Sequence, residues 1–348
     1  MVDAPESEPT PPTSDESPHQ EPAWSGARRG SLRPGERVRM TDPKGRRHSV
    51  LLEAGQTFFT SKGGIDHDEI IGRPDGIVVA SSAGVEYLVL RPLLADTVVS
   101  MPRGAAVVYP KDAAQIVTLA DIFPGARVVE AGVGSGALTC TLLRAVGTGG
   151  ALTSYERRAD FADIAFRNVT AFFGGEHPAW QLTLGDLSID LAERDVDRIV
   201  LDMLAPWECV DAVAGALTAG GLVCAYVTTT TQLSRFVETV RSHGGFTEPD
   251  SWESLVRAWH VEGLAVRPEH RMNGHTGFLV TARRLAPGVT MPRRSRRPSP
   301  GAYGPDYTGP RPAQFAAADP SESPAPRPTQ GTGGTGTSSS RAQTDTDT

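Results

Sequence analysis

The residues of this chain best suited to chemistry are acids and glycines that follow short apolar runs. Residues 128–138 pass from an apolar run into Gly132, Gly134 and Gly136, and Glu156 follows one predicted helix later. Glycines let the backbone approach a ligand closely, and an acid about 20 residues further on can accept hydrogen bonds from a ribose diol. This order predicts a nucleotide-cofactor site, and therefore an enzyme. The structural alternative is that the glycines only permit a tight turn and close helix packing.

The elements that must position these residues alternate between strand and helix. After Lys111 the pattern predicts helices at 113–123, 137–146, 158–173, 210–217 and 233–243, and strands at 127–130, 152–156, 181–184, 198–202 and 221–228. Such alternation predicts a parallel sheet with helices on both faces. Residues 254–258 and 276–283 are expected to add an antiparallel hairpin that closes the sheet. Short runs at 37–41, 48–53, 77–80 and 86–90 predict a small β domain before it.

Three acids fall at the carboxyl ends of successive predicted strands. Glu156 follows the second strand, Asp186 the third and Asp202 the fourth. Ligands of an open α/β sheet lie beyond these ends, so we expect the three carboxylates to line one site. Each acid taken alone has an equally good structural explanation as a helix N-cap or a solvated turn.

Glu130 stands two residues before the first glycine and favours one of two classes of cofactor. The spacing Gly132-x-Gly134-x-x-Ala137 fits NAD and S-adenosylmethionine equally well, but the form E-x-G-x-G-x-G resembles the first motif of class I S-adenosylmethionine-dependent methyltransferases. In that family the first acid and the glycine backbone hold the methionine end of the cofactor, and the acid ending the second strand holds the ribose. The resemblance implies S-adenosylmethionine as cofactor. The cofactor-binding residues it implies are Glu130, Gly132, Gly134, Ser135, Gly136, Ala137, Leu138, Glu156, Phe161, Asp186, Leu187 and Asp202.

The turn after Asp202 carries the substrate information. An aspartate followed by an apolar turn with Pro206 and Trp207 resembles the fourth motif of methyltransferases that modify nitrogen in planar bases. The alternative is that Pro206 only opens the next helix and that Trp207 belongs to the core.

Longer strings make the resemblance closer. Residues 101–112, 130–138, 154–156, 201–208, 228–233 and 270–278 look like the tRNA (adenine-N1)-methyltransferase family that acts on adenine 58 of the T-loop, in its bacterial, actinobacterial-like single-subunit branch. The resemblance spans about residues 30–286 and implies a homotetramer, with Asp202 at the reacting adenine and Tyr109 near the pocket as catalytic residues. The substrate-binding residues expected for tRNA are Trp207, Arg267, His270, Arg271 and His275. One departure is visible, because Met203, Leu204 and Ala205 stand where many relatives have a second proline and an acid.

Composition divides the 348 residues into four parts. We expect a disordered acidic tail at 1–26, a small β domain that contacts tRNA at 27–100, a methyltransferase domain at 101–286 and a disordered low-complexity tail at 287–348. The net charge is −7, yet eight Lys and Arg side chains crowd into residues 25–47 against two acids, as a phosphate-binding surface requires. Three cysteines without metal-ligand spacing, and no leader or membrane span, predict a cytoplasmic protein without a metal.

Three other functions remain open from the residues. The chain could be a class I methyltransferase for another RNA, a protein or a small molecule. It could be an NAD-dependent oxidoreductase, although the sequence offers no separate hydride-acceptor domain. It could also be a noncatalytic RNA-binding subunit, which the intact glycine motif and Asp202 disfavour.

Overall fold

The computed structural model describes residues 29–292, 299 and 301–310. The predicted acidic tail 1–26 lies outside the described residues, as do residues 293–298, 300 and 311–348 of the predicted low-complexity tail. None of the helices in the described part of the chain is long and apolar enough to cross a membrane.

The N-terminal part is an antiparallel β structure. Its strands are β1 Arg37–Thr41, β2 Arg47–Leu51, β3 Thr57–Thr60, β4 Gly63–Asp66, β5 Ile77–Ala80 and β6 Glu86–Leu90. Four of them form a sheet of order β2-β1-β6-β5, and β3 pairs with β4 as a hairpin. Side chains alternate along β1, so Val38 and Met40 are fully buried while Arg37 is exposed.

The larger part alternates strand and helix. Its helices are α1 Leu94–Ser100, α2 Pro110–Leu119, α3 Ala137–Val146, α4 Ala159–Phe173, α5 Leu187–Asp190, α6 Val210–Ala216 and α7 Thr230–His243. Its strands are β7 Arg127–Ala131, β8 Ala151–Glu156, β9 Trp180–Leu184, β10 Val196–Asp202, β11 Leu217–Val227, β12 Asp250–Trp252, β13 Trp259–Glu262, β14 Ala265–Pro268 and β15 Phe278–Arg283.

Seven of these strands form one sheet of order β12-β15-β11-β10-β7-β8-β9. The run from β11 to β9 is parallel, whereas β15 is antiparallel to both β11 and β12. The predicted seven-stranded sheet behind a small β domain is therefore confirmed. The chain order reverses between β7 and β10, and the crevice at such a switch point is where α/β sheets bind ligands.

The predicted strand at 254–258 is wrong. The strand that pairs with β15 at the edge of the sheet is β12, with Trp252 opposite Leu279. Leu255 and Val256 are each 60% exposed, so their apolar character does not reflect burial in the sheet. The hairpin formed by β13 and β14, which the sequence did not indicate, lies between β12 and β15 in the chain.

Part of the predicted low-complexity tail returns to the fold. Residues 301–310 contain no helix or strand, but the Tyr303 hydroxyl donates a hydrogen bond of 2.9 Å to Glu238 on α7. A tyrosine offers both an apolar ring and a hydroxyl, which is enough to give this segment a defined contact.

Candidate active site

A cavity of about 670 Å³ opens beyond the carboxyl ends of β7, β8 and β10. This volume lies in the range of small-molecule and cofactor pockets, about 300–1,000 Å³. The predicted cofactor residues that line it are Gly132, Gly134, Ser135, Ala137, Leu138, Glu156, Phe161, Asp186, Leu187 and Asp202.

The glycine turn between β7 and α3 explains how the strands come so close. Gly132 has a φ of +86°, and a Cβ atom there would lie 1.8 Å from the carbonyl oxygen of Asp202. Gly136 has a φ of +80°, and a Cβ atom there would lie 2.8 Å from Val169 on α4. Gly132 is thus needed where β7 meets β10, and Gly136 where α3 meets α4.

Gly134 differs from its two neighbours, because a Cβ atom there would meet nothing within 4 Å. Its φ of +56° still favours glycine. Its N–H donates a 3.0 Å hydrogen bond to Oε2 of Glu156, and Oε1 of Glu156 accepts one of 3.0 Å from the Arg158 N–H. A carboxylate has about four lone-pair sites, so Glu156 keeps acceptor capacity for a ribose diol while its orientation is fixed.

Asp186 lies at the cavity and also caps a helix, as the structural alternative for this acid predicted. It lines the cavity, and it also caps α5, because its Oδ1 accepts from the Ser188 N–H at 3.0 Å and from the Ser188 hydroxyl at 2.7 Å. The hydrogen bonds from Ser188 lower the pKa of Asp186, so the carboxylate is charged at neutral pH. Arg157 lies 3.4 Å from its Oδ2.

Asp202 ends β10 and faces the cavity from a partly buried position. Burial, with the neighbouring Glu156 carboxylate as the second cause, raises the pKa of Asp202 from 3.8 to about 7. A carboxylate titrating near neutral pH, at the junction of β7 and β10, is a feature of reactive sites.

Glu130 lies beneath the cavity and does not line it. It is fully buried on β7, where its Oε2 accepts hydrogen bonds from Ser154 at 2.7 Å and Thr139 at 2.8 Å. Its Oε1 has no hydrogen-bond partner among the described residues. Burial raises the pKa of Glu130 to about 7 despite the two hydrogen bonds, which lower it.

The two aromatic residues predicted for the acceptor side, Trp207 and Tyr109, lie outside the cavity lining. Trp207 packs against the core beside β10, with the Arg235 guanidinium 4.3 Å from its ring centre. Tyr109 immediately precedes α2 and is partly buried. It lies close enough to Tyr226, which does line the cavity, to contribute to the raised pKa of that phenol; burial is the main cause there.

The predicted basic residues are spread over the segment between β13 and β15. Arg267 lies on β14 opposite His260, and His270 and Arg271 are exposed residues without regular structure. His275 is instead tied within the fold, since one ring nitrogen lies 3.0 Å from Glu253 and the other 2.9 Å from the Thr228 carbonyl. These two partners raise the pKa of His275, the Glu253 interaction most strongly.

Sequence reasoning missed several residues that line or brace the cavity. Tyr226, Thr228 and Gln232 line it from β11, from the loop after β11 and from α7, respectively. Behind them Asp112, which is fully buried at the start of α2, accepts hydrogen bonds from Lys111 at 2.7 Å, Ser254 at 3.0 Å and Thr276 at 2.6 Å. The signal available for Gln232 was its place three residues after Thr229, which is the spacing of a capping box.

Two sequence profiles match the chain. The profile described as TrmI-like N-terminal matches residues 30–79, and the profile described as tRNA methyltransferase complex GCD14 subunit matches residues 88–266. The second match covers about half of the chain.

Curated relatives from bacteria and archaea agree with these profiles. The tRNA (adenine(58)-N(1))-methyltransferase TrmI of Thermus thermophilus is 38% identical over 250 residues, which cover 70% of this chain and 95% of that protein. The TrmI of Methanocaldococcus jannaschii, named for action on adenine 57 and adenine 58, is 31% identical over 268 residues, covering 70% and 93%.

Two solved structures share the fold over nearly their full length. A SAM-dependent O-methyltransferase from Thermotoga maritima superposes with a TM-score of 0.70 at 32% identity, covering 76% of this chain and 97% of that one. The tRNA (m1A58) methyltransferase TrmI from Aquifex aeolicus gives a TM-score of 0.65 at 25% identity, covering 74% and 100%. With the glycine turn, the three acids and the seven-stranded sheet in place, the chain belongs to the tRNA (adenine-58-N1)-methyltransferase family, whose members are class I S-adenosylmethionine-dependent enzymes.

Proposed function

We propose that this chain transfers the methyl group of S-adenosylmethionine to N1 of adenine 58 in the T-loop of tRNA. The observation that carries the proposal is the position of Asp202, a partly buried carboxylate that faces the cavity directly beside the glycine turn. An acid at this point can accept a hydrogen bond from the exocyclic amine of adenine while N1 reacts.

The residues of the cavity fit the cofactor. The turn at Gly132 and Gly134 leaves no side chain between the backbone and the cavity, and the buried Ser135 hydroxyl has no hydrogen-bond partner among the described residues. Glu156 would hold the ribose diol, and Asp186 with Leu187 would hold the adenine. When bound, S-adenosylmethionine supplies an electrophilic methyl group on a sulfonium.

Asp202 stabilises charge and does not need to remove a proton. Adenine N1 attacks with a lone pair, so the attacking atom has no proton to lose, and the product base is a cation. A carboxylate in a partly desolvated site stabilises such a cation far more than it would in water. The remaining task of the protein is to align donor and acceptor, which the rigid junction of β7 and β10 supports.

We also propose that the N-terminal β domain contacts tRNA phosphates. Arg33, Arg37 and Lys44 are exposed cations of this domain, and contacts from such side chains to phosphates position a nucleic acid without reading its sequence. Only part of the predicted basic segment is available for this, since Arg39 pairs with Asp96 and Arg46 pairs with Asp42.

For assembly we propose the homotetramer that the family resemblance implies. The hairpin of β13 and β14 supports it, because Trp259 is 57% exposed, Val261 68% and Val266 55%. Contiguous exposed apolar side chains of this size mark interaction surfaces, and a second copy of the chain is the proposed partner. We place the activity in the cytoplasm, which suits three buried cysteines that form no disulfide in the described part of the chain.

The proposed function is tested by methyl transfer from labelled S-adenosylmethionine to an unmodified tRNA transcript and to its copy with guanine at position 58. We expect label on the first transcript only, and loss of that label with Asp202→Ala. Label on both transcripts would point to a neighbouring adenine. Label on neither, with S-adenosylhomocysteine still bound, would assign the fold to another acceptor class, such as the oxygen acceptor implied by the name of the Thermotoga O-methyltransferase.

A further inference from the structure

Leu204 is an apolar side chain standing in the mouth of the cavity. It follows Asp202 by two residues, lines the cavity and is 84% exposed. A single exposed leucine on a protein surface is ordinary. The backbone around Leu204, in contrast, is held from three directions.

The first constraint comes from α7. The Leu204 carbonyl accepts a 2.9 Å hydrogen bond from Nε2 of Gln232. The same amide group is itself fixed, since its Oε1 accepts from the Thr228 N–H at 3.2 Å and the Thr229 N–H at 3.1 Å. Gln232 therefore ties the loop after β10 to the loop after β11, and both loops line the cavity.

The other two constraints flank Leu204 in sequence. Met203 packs against the core beside β10, with its sulfur 3.6 Å from Sγ of Cys209. Pro206 is buried at the start of the short 3₁₀ turn Pro206–Cys209. Between these anchors the backbone of Leu204 is held in place, and its side chain lies at the mouth of the cavity.

We propose that Leu204 packs against the ring of the target adenine and determines how that base is held, and that Gln232 is the positioning residue that sets its place. This rests on the proposed function. A base extruded from the T-loop loses its stacking, and contact with an apolar side chain in the pocket offsets part of that loss. The acceptor ring must reach Asp202 through the mouth in which Leu204 stands, so the two side chains would hold its face and its edge.

The experiment measures kcat/KM for the adenine-58 transcript and the Kd for S-adenosylhomocysteine with Leu204→Ala, Leu204→Met and a matched control. The control is Ile189→Ala, because Ile189 is also an aliphatic side chain, is 82% exposed on α5 and does not line the cavity. We expect Leu204→Ala to lower kcat/KM about tenfold, as losing methyl groups from an apolar contact does. Leu204→Met conserves volume and should stay within about twofold of wild type, and Ile189→Ala should be unchanged. The Kd for S-adenosylhomocysteine should not move.

Gln232 is tested by a double-mutant cycle. Gln232→Glu keeps the oxygen that accepts from Thr228 and Thr229 but removes the N–H whose hydrogen bond the Leu204 carbonyl accepts. If Gln232 acts through Leu204, Gln232→Glu combined with Leu204→Ala lowers kcat/KM no further than the larger single effect. If the effects of the two substitutions on kcat/KM multiply in the double variant, the positioning role of Gln232 is refuted. If Leu204→Ala has the kcat/KM of the wild type, the contact between Leu204 and the adenine is refuted. A loss of S-adenosylhomocysteine affinity in Leu204→Ala would also refute it. Wild-type protein that leaves the adenine-58 transcript unlabelled overturns the proposed function itself, and with it this inference.

Discussion

Replacing Asp202 by asparagine should make the protein more stable and nearly inactive. The side chain keeps its size and one acceptor oxygen but loses its charge. Activity should fall about 100-fold, because a neutral amide cannot stabilise the cationic product as a carboxylate does. A gain in stability together with a loss of activity would indicate that the charge of Asp202 destabilises the fold and is required for the reaction.

The stability gain follows from the raised pKa. Asp202 ionises near 3.8 when unfolded and near 7 when folded. Between these values the unfolded chain releases a proton that the folded chain keeps, so the stability of the wild type falls as pH rises, by about 1.4 kcal/mol per unit. Over the whole pH range between the two pKa values, the free energy of unfolding would fall by about 4 kcal/mol. Contact of Asp202 with solvent along the cavity reduces this loss to about 2 kcal/mol. The Asp202→Asn variant cannot ionise at this position and does not lose this stability. The free energies of unfolding of the two proteins should therefore differ by about 2 kcal/mol above pH 7 and hardly at all below pH 4.

Urea unfolding of both proteins at about pH 8 and about pH 4 measures the difference, which corresponds to about 4–8 °C in Tm. The control is Asp211→Asn, whose side chain is 98% exposed in the wild type and which should change stability by less than about 0.5 kcal/mol. In parallel, kcat/KM of the wild type should rise about tenfold between about pH 6 and about pH 8 as Asp202 ionises. An asparagine variant that is equally destabilised at both pH values would refute the reasoning, and so would one that keeps its activity.

Three further results are expected. Gly132→Ala should abolish S-adenosylhomocysteine binding and lower Tm, because its Cβ would overlap a backbone carbonyl of β10 at 1.8 Å. In Gly134→Ala the new Cβ meets open space, so the positive φ alone should lower the free energy of unfolding by only about 1–2 kcal/mol. Calorimetry and thermal unfolding compare the two variants. Glu156→Ala should weaken the binding of S-adenosylhomocysteine, measured by calorimetry, at least about tenfold, since the Glu156 carboxylate is the predicted ribose ligand. The Kd for tRNA should stay unchanged. Arg267→Ala with Arg271→Ala should weaken tRNA binding and flatten its dependence on salt by about one unit of slope per lost phosphate contact; an unchanged slope in filter binding would remove these arginines from the interface.

The helix after the glycine turn shows what a sequence can specify fully. The sequence predicts it at 137–146, and it spans Ala137–Val146. Glycines with positive φ, Gly136 and Gly147, stand at its two ends, so local backbone chemistry sets both boundaries. The meeting of Glu156, Asp186 and Asp202 at one cavity was equally predictable, because parallel strands bring their carboxyl ends to the same edge of the sheet.

One segment was predicted wrongly because its apolar residues are not buried. Leu255 and Val256 have the composition of a strand and are mostly exposed, while the true edge strand is the short polar run Asp250–Trp252. The hairpin of β3 and β4 escaped for a different reason: Ile65 is buried in the core, but Gly63 and Gly64 before it resemble a loop. A Cβ at Gly63 would lie 2.4 Å from the Ser82 hydroxyl oxygen, a contact that only the folded chain reveals.

On the acceptor side of the site, the chemical type of a residue did not predict where the fold places it. A sequence ranks Trp207 above Leu204 as a contact for a planar base, because tryptophan stacks and leucine has no special chemistry. In the structure Trp207 packs against the core with Arg235 over its ring, and Leu204 is the residue left at the mouth. The cause is the register of the turn after β10, in which Met203 and Pro206 pack inward and Leu204, one of the two residues between them, is exposed. Residue type therefore predicted Asp202, where the proposed reaction calls for a carboxylate. It could not predict the role proposed for Leu204, which depends only on which side chain the turn leaves exposed.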